Sequence, residues 1–382
     1  MPPTDRYQTL DAWRGLACLM VVVHHAGFAV NGGDVGSGWL RWSIVGFVRQ
    51  MDLGVPLFFV VSGYCIAASA VGHRRRGHST YSFMSRRFVR IYPPYWAALA
   101  GFAGFAALLD ASGLRRLRDG AFALQLDGPR DLSISQWIGN IALAETWRPL
   151  VAKPEARLLT RVAWSLCYEE QFYLVVGVIL LVSGRRFTRV MIACTLMIVA
   201  ARIVARDVGW LARMSGTFVI LWHEFAVGMA VYWVINVAVD RNGRKIGVAA
   251  IISLLMVAGI AEYRESAVAA GFGLLLIALK PADWRTFAAI GLRPLISLGR
   301  RSYSIYLAHL PATVVINNGL AEWGVRDFWA RAFITIPIST IASLGVGWIF
   351  YDLVERWTVR TRSLSPSPAL SPVGNAPGPT GP

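Results

Sequence analysis

The sequence predicts an all-α fold: a polytopic transmembrane helical bundle of about ten spans with both termini in the cytoplasm. Three observations predict it. Apolar residues make up 55% of the 382 positions and charged residues only 16%, where a soluble domain carries about a quarter charged residues. Apolar runs long enough to approach the ~30 Å hydrocarbon core recur along the chain. Basic residues collect in every second connection between those runs.

The runs are 11–30, 53–72, 91–110, 163–183, 190–206, 216–239, 246–262, 266–280, 295–318 and 328–351. The seventh and eighth are the shortest and flank a charged turn at Glu262, Arg264 and Glu265. The loop His73–Arg90 carries Arg74, Arg75, Arg76, Arg86, Arg87 and Arg90. Arginines and lysines follow the fourth, sixth, eighth and tenth runs as well. Basic loops stay on the cytoplasmic side, so the alternation sets the orientation. The segment 111–162 is basic too, but long loops obey that rule poorly, and it is placed outside. Residues 1–360 form one membrane domain. Residues 361–382 hold six prolines in an uncharged final stretch and are expected to form a disordered cytoplasmic tail.

The net charge of +16 does not indicate nucleic acid, because the basic residues sit between apolar runs and serve topology. Cys18, Cys65, Cys167 and Cys194 all lie inside apolar runs without CxxC spacing. They are read as buried thiols, not a disulfide framework or a metal site. The apolar stretch at the N-terminus carries His24 and His25 and is read as an uncleaved span.

Ionisable residues at membrane depth mark function by default. Arg14 and His25 are eleven residues apart. On one helix they project within about 20° of each other, with His25 about 16 Å further along. One face thus offers a cation at the mouth and a titratable base at depth. An interfacial anchor plus a packing histidine is the competing explanation. His24 points about 100° away and is read as structural. In WSLCYEEQFY (164–173), Glu169 is expected about 7–8 Å inward of Trp164, at a depth comparable to His25. There it would orient the histidine and raise its basicity. His309 lies mid-way along the ninth run, and His223 and Glu224 lie in the sixth. Arg87 and Arg90, three residues apart, share a helix face and suit a phosphate group in a way that lysine does not; plain topology anchoring is the alternative.

Together these pieces resemble the membrane acyltransferase-3 family of integral-membrane O-acyltransferases. The resemblance rests on R-GLACLMVVVH-H (Arg14 and His25), FFVVSGYCIA (58–67), Arg87-x-x-Arg90 before IYPPYW, WSLCYEEQFY, and SYSIYLAHLP (302–311, with Tyr303 and His309). The five motifs fall in the family's order over nearly the whole chain. It implies a multi-pass enzyme of the cell's inner (cytoplasmic) membrane. Such an enzyme takes an acyl group, usually acetyl, from cytoplasmic acyl-CoA and delivers it to a hydroxyl of a saccharide or other acceptor. Acyl-CoA is a co-substrate; no tightly bound cofactor and no metal is expected. Some members carry an extracellular esterase-like domain after the membrane part, and the chain is read as a stand-alone form. His25 is the expected base, with Glu169 as partner. Arg14, Arg87 and Arg90 would hold the coenzyme phosphates. Ser62, Gly63, Tyr303 and His309 are expected along the cavity, where Ser62 and Gly63 would let a backbone or a substrate approach closely, with Ser62 a less favoured covalent nucleophile. The rival reading is a proton-coupled transporter or flippase, to which intramembrane His and Glu also suit.

The alternating basic loops make a topology prediction. Single cysteines placed in His73–Arg90 or just beyond residue 360 will resist impermeant thiol reagents in intact cells, and cysteines near 120–130 will react. Labelling of the His73–Arg90 loop from outside would reverse the orientation.

Overall fold

The computed structural model describes residues 7–31, 37–120, 126–204, 214–238, 240–260, 263–283 and 290–360. The expected disordered tail (361–382) and Glu262 lie outside the described residues. Among those described the chain is helical, with no strand. The long helices are α1 (Leu10–Ala26), α2 (Trp39–Gln50), α3 (Gly54–Arg75), α4 (Thr80–Ala111), α5 (Ile134–Ile141), α6 (Trp164–Ser183), α7 (Phe187–Val204), α8 (Trp222–Asn236), α9 (Arg241–Ile260), α10 (Arg264–Leu279), α11 (Arg293–Arg300), α12 (Ser302–Glu322) and α13 (Ile336–Phe350). Five helical stretches are long and apolar enough to cross a bilayer: Leu10–Asn31, Trp39–Arg75, Arg161–Ser183, Arg264–Ala282 and Phe328–Thr358. Outward-facing Leu181, Val182, Leu196, Met197, Phe333 and Ile341 are exposed, as a lipid-facing surface requires.

In lipid the apolar side chains gain little from leaving their solvent, so helices associate where small residues let backbones approach. Three crossings show it. A Cβ on Gly63 of α3 would fall 2.1 Å from Phe225 O, and one on Gly228 of α8 would fall 1.9 Å from Val60 O. A Cβ on Gly299 of α11 would fall 1.6 Å from Asp11 O at the start of α1. Gly347 of α13 lies against Ile305 of α12 in the same way. Of the two uses expected of Gly63, close approach of a backbone or of a substrate, the crossing shows the first. It lets α8 touch α3.

Helix α4 begins earlier than the apolar run. Ser79 caps it by accepting from Ser82 N at 3.3 Å, so Arg86, Arg87 and Arg90 are helical and not in a loop. The helix continues through Pro93 and Pro94. Each proline withholds an N–H from the turn before it. Next to that gap the Tyr303 hydroxyl of α12 donates to Ile91 O at 2.7 Å, tying the two helices together.

The segment between α4 and α6 differs from the expected external loop. At one end Asn318, near the end of α12, donates to Leu117 O at 2.9 Å. At the other, Tyr306 of the same helix donates to Val162 O. Those two anchor points are twelve residues apart on α12, about 18 Å of helix rise. The segment therefore runs deep along the bundle. Tyr95 donates to Asn140 O at 2.7 Å and Trp96 to Ile141 O at 3.0 Å, partway down α4. Irregular backbone at such depth is tolerated only when its polar groups are satisfied within the protein, and a set of side chains supplies partners here. Ser133 and Gln136 form a capping box that starts α5. Asn140 bridges the segment to itself, donating to Arg157 O at 2.8 Å and accepting from Leu159 N at 2.9 Å. Arg148 is paired with fully buried Glu145 through bonds of 2.8 and 2.9 Å and also donates to Ala152 O and Pro154 O. Nearer the Leu117 end, the Gly128 N–H, and then Arg118, hold the Asp131 carboxyl below its usual range.

Glycine packing and cavity lining predict opposite outcomes for one residue. Gly63→Leu and Gly228→Leu will each push α3 and α8 apart, costing about 1–3 kcal/mol of overpacking. Both will lower the melting temperature in detergent and the yield in membranes. Gly101→Leu, with nothing within 4 Å of its added carbon, will leave both unchanged. A Gly63→Leu protein of normal stability but altered ligand binding would return that residue to the cavity.

Candidate functional site

One cavity, about 100 Å³ in volume, lies among α1, α3, α4, α6 and α12. Each helix contributes from one face. Helix α3 sends Phe58, Ser62 and Cys65 at spacings of four and three, which is one stripe of a helix. Helix α6 sends Ser165, Glu169 and Tyr173 at spacings of four, and α12 sends Ser302, Tyr303 and Tyr306. Arg14 comes from α1, and Arg87 and Arg90 come from α4.

The polar groups are firmly held. Glu169 Oε1 accepts from Ser62 Oγ at 2.7 Å and from Tyr173 OH at 2.6 Å. Arg14 points Nη2 at Cys65 Sγ, 3.2 Å away, with Asp11 at 3.6 Å behind it. The Arg87 guanidinium lies over the rings of Phe83 and Tyr173, at 5.6 and 5.2 Å from their centroids; such stacking fixes a cation while leaving its N–H edges available. Three guanidinium groups thus face one carboxylate around a single space. The surplus is positive, and planar guanidinium forks suit phosphate or carboxylate oxygens.

The two histidines singled out in the sequence are not among the cavity-lining residues. His25 Nδ1 lies 3.1 Å from His309 Nε2, with the ring centroids 5.0 Å apart. Tyr306 stands between this pair and the cavity. It lines the cavity, and its ring centroid is 6.0 Å from that of His309. Its hydroxyl is held by Val162 O and, at 2.6 Å, by Ser165 Oγ. Phe58 lies edge-on to Tyr306 at 6.1 Å and completes the partition.

The expected partnership of His25 with Glu169 is therefore corrected. It assumed that α6 starts at the outer surface and descends to His25. Helix α6 instead starts at the inner end of the deep segment, where Val162 meets Tyr306, so Glu169 emerges level with Arg14. His25 is eleven residues beyond Arg14, about 16 Å along α1. Arg14, Ser62, Arg87, Arg90, Glu169 and Tyr303 share the cavity, and His25 and His309 form a second group. His24 turns aside to Val48 O at 3.3 Å. His223 and Glu224 belong to a different buried cluster, in which Arg202 lies 2.7 Å from His223 Nδ1 and Ser266 bonds to His223 Nε2. Cys65, Ser165, Tyr173 and Tyr306 were missed in the sequence. The signal was there for Tyr306, since Tyr303, Tyr306 and His309 recur every third residue along α12.

With this geometry in hand, the comparison with known proteins is decisive at the level of family. The profile of the family described as an acyltransferase domain matches residues 7–352. The chain belongs to this acyltransferase family. It is similar to the O-acetyltransferase OatA of Staphylococcus aureus, 24% identical over 335 residues, which covers 81% of this chain and 51% of that protein. It is similar to the peptidoglycan O-acetyltransferase OatA of Listeria monocytogenes, 24% identical over 379 residues, with 89% and 55% covered. A putative membrane-bound transacylase, BcsY of Komagataeibacter xylinus, is 27% identical over 331 residues, with 82% and 75% covered. The chain spans about half the length of the two O-acetyltransferases. No solved structure matches.

In this acyltransferase the carboxylate belongs to the arginine end, which gives a test. Glu169→Gln removes the one carboxylate that offsets the arginine surplus, so if the cavity takes an anionic donor the donor KM will fall several-fold with little change in kcat. The alternative, a Glu169 that tunes His25, predicts a fall in kcat at unchanged donor KM.

Proposed function

We propose that this protein is a membrane-embedded O-acyltransferase that moves an acetyl group from acyl-CoA to a hydroxyl of a saccharide acceptor. The observation that carries the reading is the convergence of Arg14, Arg87 and Arg90, from two helices distant in sequence, on one cavity. A basic loop serving topology alone has no need to turn its arginines inward against a carboxylate. Coenzyme phosphates would meet the three guanidinium groups at the mouth, with the thioester arm extending past Tyr306 toward His25. The relatives named as O-acetyltransferases, one of peptidoglycan, support acetyl as the acyl group and a glycan as the acceptor class.

The chemistry asks for a base at the hydroxyl and little else. His25 Nε2 takes the acceptor's O–H proton as that oxygen bonds to the thioester carbonyl carbon. The carbon–sulfur bond breaks as the tetrahedral intermediate collapses, and the imidazolium returns the proton to the departing thiolate. The products are an ester and free coenzyme A. The base role requires His25 to be reached from the acceptor side while the donor enters from the arginine side. A chain with about ten spans, both termini and the arginine mouth on the cytoplasmic face, and an inner-membrane location fits that division. On this reading residues 361–382 are a cytoplasmic tail.

Two sets of variants test the proposal in purified protein with acetyl-CoA and a surrogate alcohol. His25→Ala will bind coenzyme A normally and lose transfer by about 10²–10⁴-fold, the usual contribution of a general base. Arg87→Lys and Arg90→Lys will both weaken coenzyme binding, because an ammonium lacks the planar fork. Full affinity in both lysine variants, or transfer by His25→Ala at the normal rate, would contradict it.

A further inference from the structure

The bonds around His309 determine which nitrogen of His25 is free to act. His309 Nδ1 lies 3.0 Å from Ile305 O and 2.9 Å from Tyr306 O. Carbonyl oxygens only accept, so Nδ1 carries the hydrogen and the neutral ring presents its lone pair at Nε2. His25 Nδ1 lies 2.9 Å from Val21 O and by the same rule is N–H. That N–H also faces His309 Nε2 at 3.1 Å. A doubly protonated His309 would set two N–H groups against each other at this distance. The one arrangement that satisfies every contact runs in a single direction, from His25 Nδ1–H to His309 Nε2. It leaves His25 Nε2 with a lone pair.

We infer that His309 is the positioning residue of His25: a neutral hydrogen-bond acceptor that holds His25 as the Nδ1–H tautomer and aims Nε2 at the acceptor hydroxyl. This rests on the proposed role of His25 as base. His309 is itself held for the task. It is fully buried, and its backbone carbonyl accepts from Thr313 Oγ1 at 3.1 Å and Ser343 Oγ at 3.2 Å, which ties α12 to α13 at that point. When His25 Nε2 takes the proton, the ring becomes a cation and its Nδ1–H bond to His309 becomes charge-assisted and stronger. The gain is made in the transition state and not in the resting enzyme, which is what raises kcat. A carboxylate does this work in other triads. Here a buried neutral imidazole does it, and no lone anion has to be kept at that depth.

The test uses the full-length protein in detergent. His309→Leu removes the acceptor and is expected to lower kcat by about 10–100-fold, the usual cost of losing the partner that orients a histidine, with the donor KM unchanged. His309→Gln offers a side-chain carbonyl in place of the lost nitrogen and is expected to recover most of the rate. Equal rates for the Leu and Gln variants, whether both normal or both impaired, overturn the assignment. A second readout does not depend on activity. In ¹⁵N-histidine-labelled protein, solid-state NMR with the His25→Ala and His309→Leu variants for assignment should show both rings as Nδ1–H tautomers. An Nε2–H His309 overturns the inference. Transfer by His25→Ala at the normal rate refutes the base reading itself. Loss of transfer in His25→Ala with full activity in His309→Leu refutes only the role of His309.

Discussion

The buried pair between Glu145 and Arg148 is the interaction on which the site's geometry depends. Burying two charges in an apolar bundle is costly unless each is paired and its remaining hydrogen-bonding capacity is met. Arg148 meets that condition with two bonds to Glu145 and further bonds to backbone oxygens, while Glu145 also accepts from Arg157 N at 2.8 Å. The effect is to close the stretch around 145–157 on itself. An irregular stretch of chain can then lie deep against α4 and α12 without exposing unpaired backbone to lipid. Because that stretch ends where it does, α6 starts inside the bundle. Glu169 and Tyr173 then face Arg14 and Arg87 instead of the histidines.

This dependence explains what could and could not be read from the amino-acid sequence. The helical class, the family and the three arginines of the cavity were legible, because they rest on composition, motif order and spacing along single helices. Arg87 and Arg90 share a face by their interval, and so do Arg14 and His25. The pairing of His25 was not legible, because it depends on where one helix starts relative to another. Nothing in WSLCYEEQFY says that its first turn sits at mid-depth. That information lies earlier in the chain, in polar side chains such as Asn140 and Glu145, which read as ordinary loop residues until their partners are seen. Gly63 was legible as a point of close approach, but not as to which neighbour makes it. A glycine beside a candidate serine looks like room for a ligand, but helix crossings in lipid need the same residue for backbone contact.

On the proposed reading, donor binding and proton transfer fall to two different groups of residues. Recognition of an anionic donor wants cations, and the arginine cavity offers three guanidinium groups. Proton transfer wants a base with a fixed tautomer, and His25 is held by Val21 O and His309 between α1 and α12. The two are about 16 Å apart along α1, and an acyl group on a flexible arm can bridge that span. A water-filled path of the same length would instead let protons through.

Tyr306 lies where these two demands meet. Its ring contributes to the cavity wall and faces His309, while its hydroxyl is held by Val162 and Ser165. The same residue therefore closes the donor cavity, anchors the deep segment and covers the histidine pair. Any movement that opens a way for the acyl arm must break the Tyr306 bonds to Val162 and Ser165 or bend around its ring. Breaking them loosens the start of α6, which carries Glu169 four residues on from Ser165. On the proposed reading, the arginine cavity and the histidine pair are thus linked through Tyr306 and the first turn of α6.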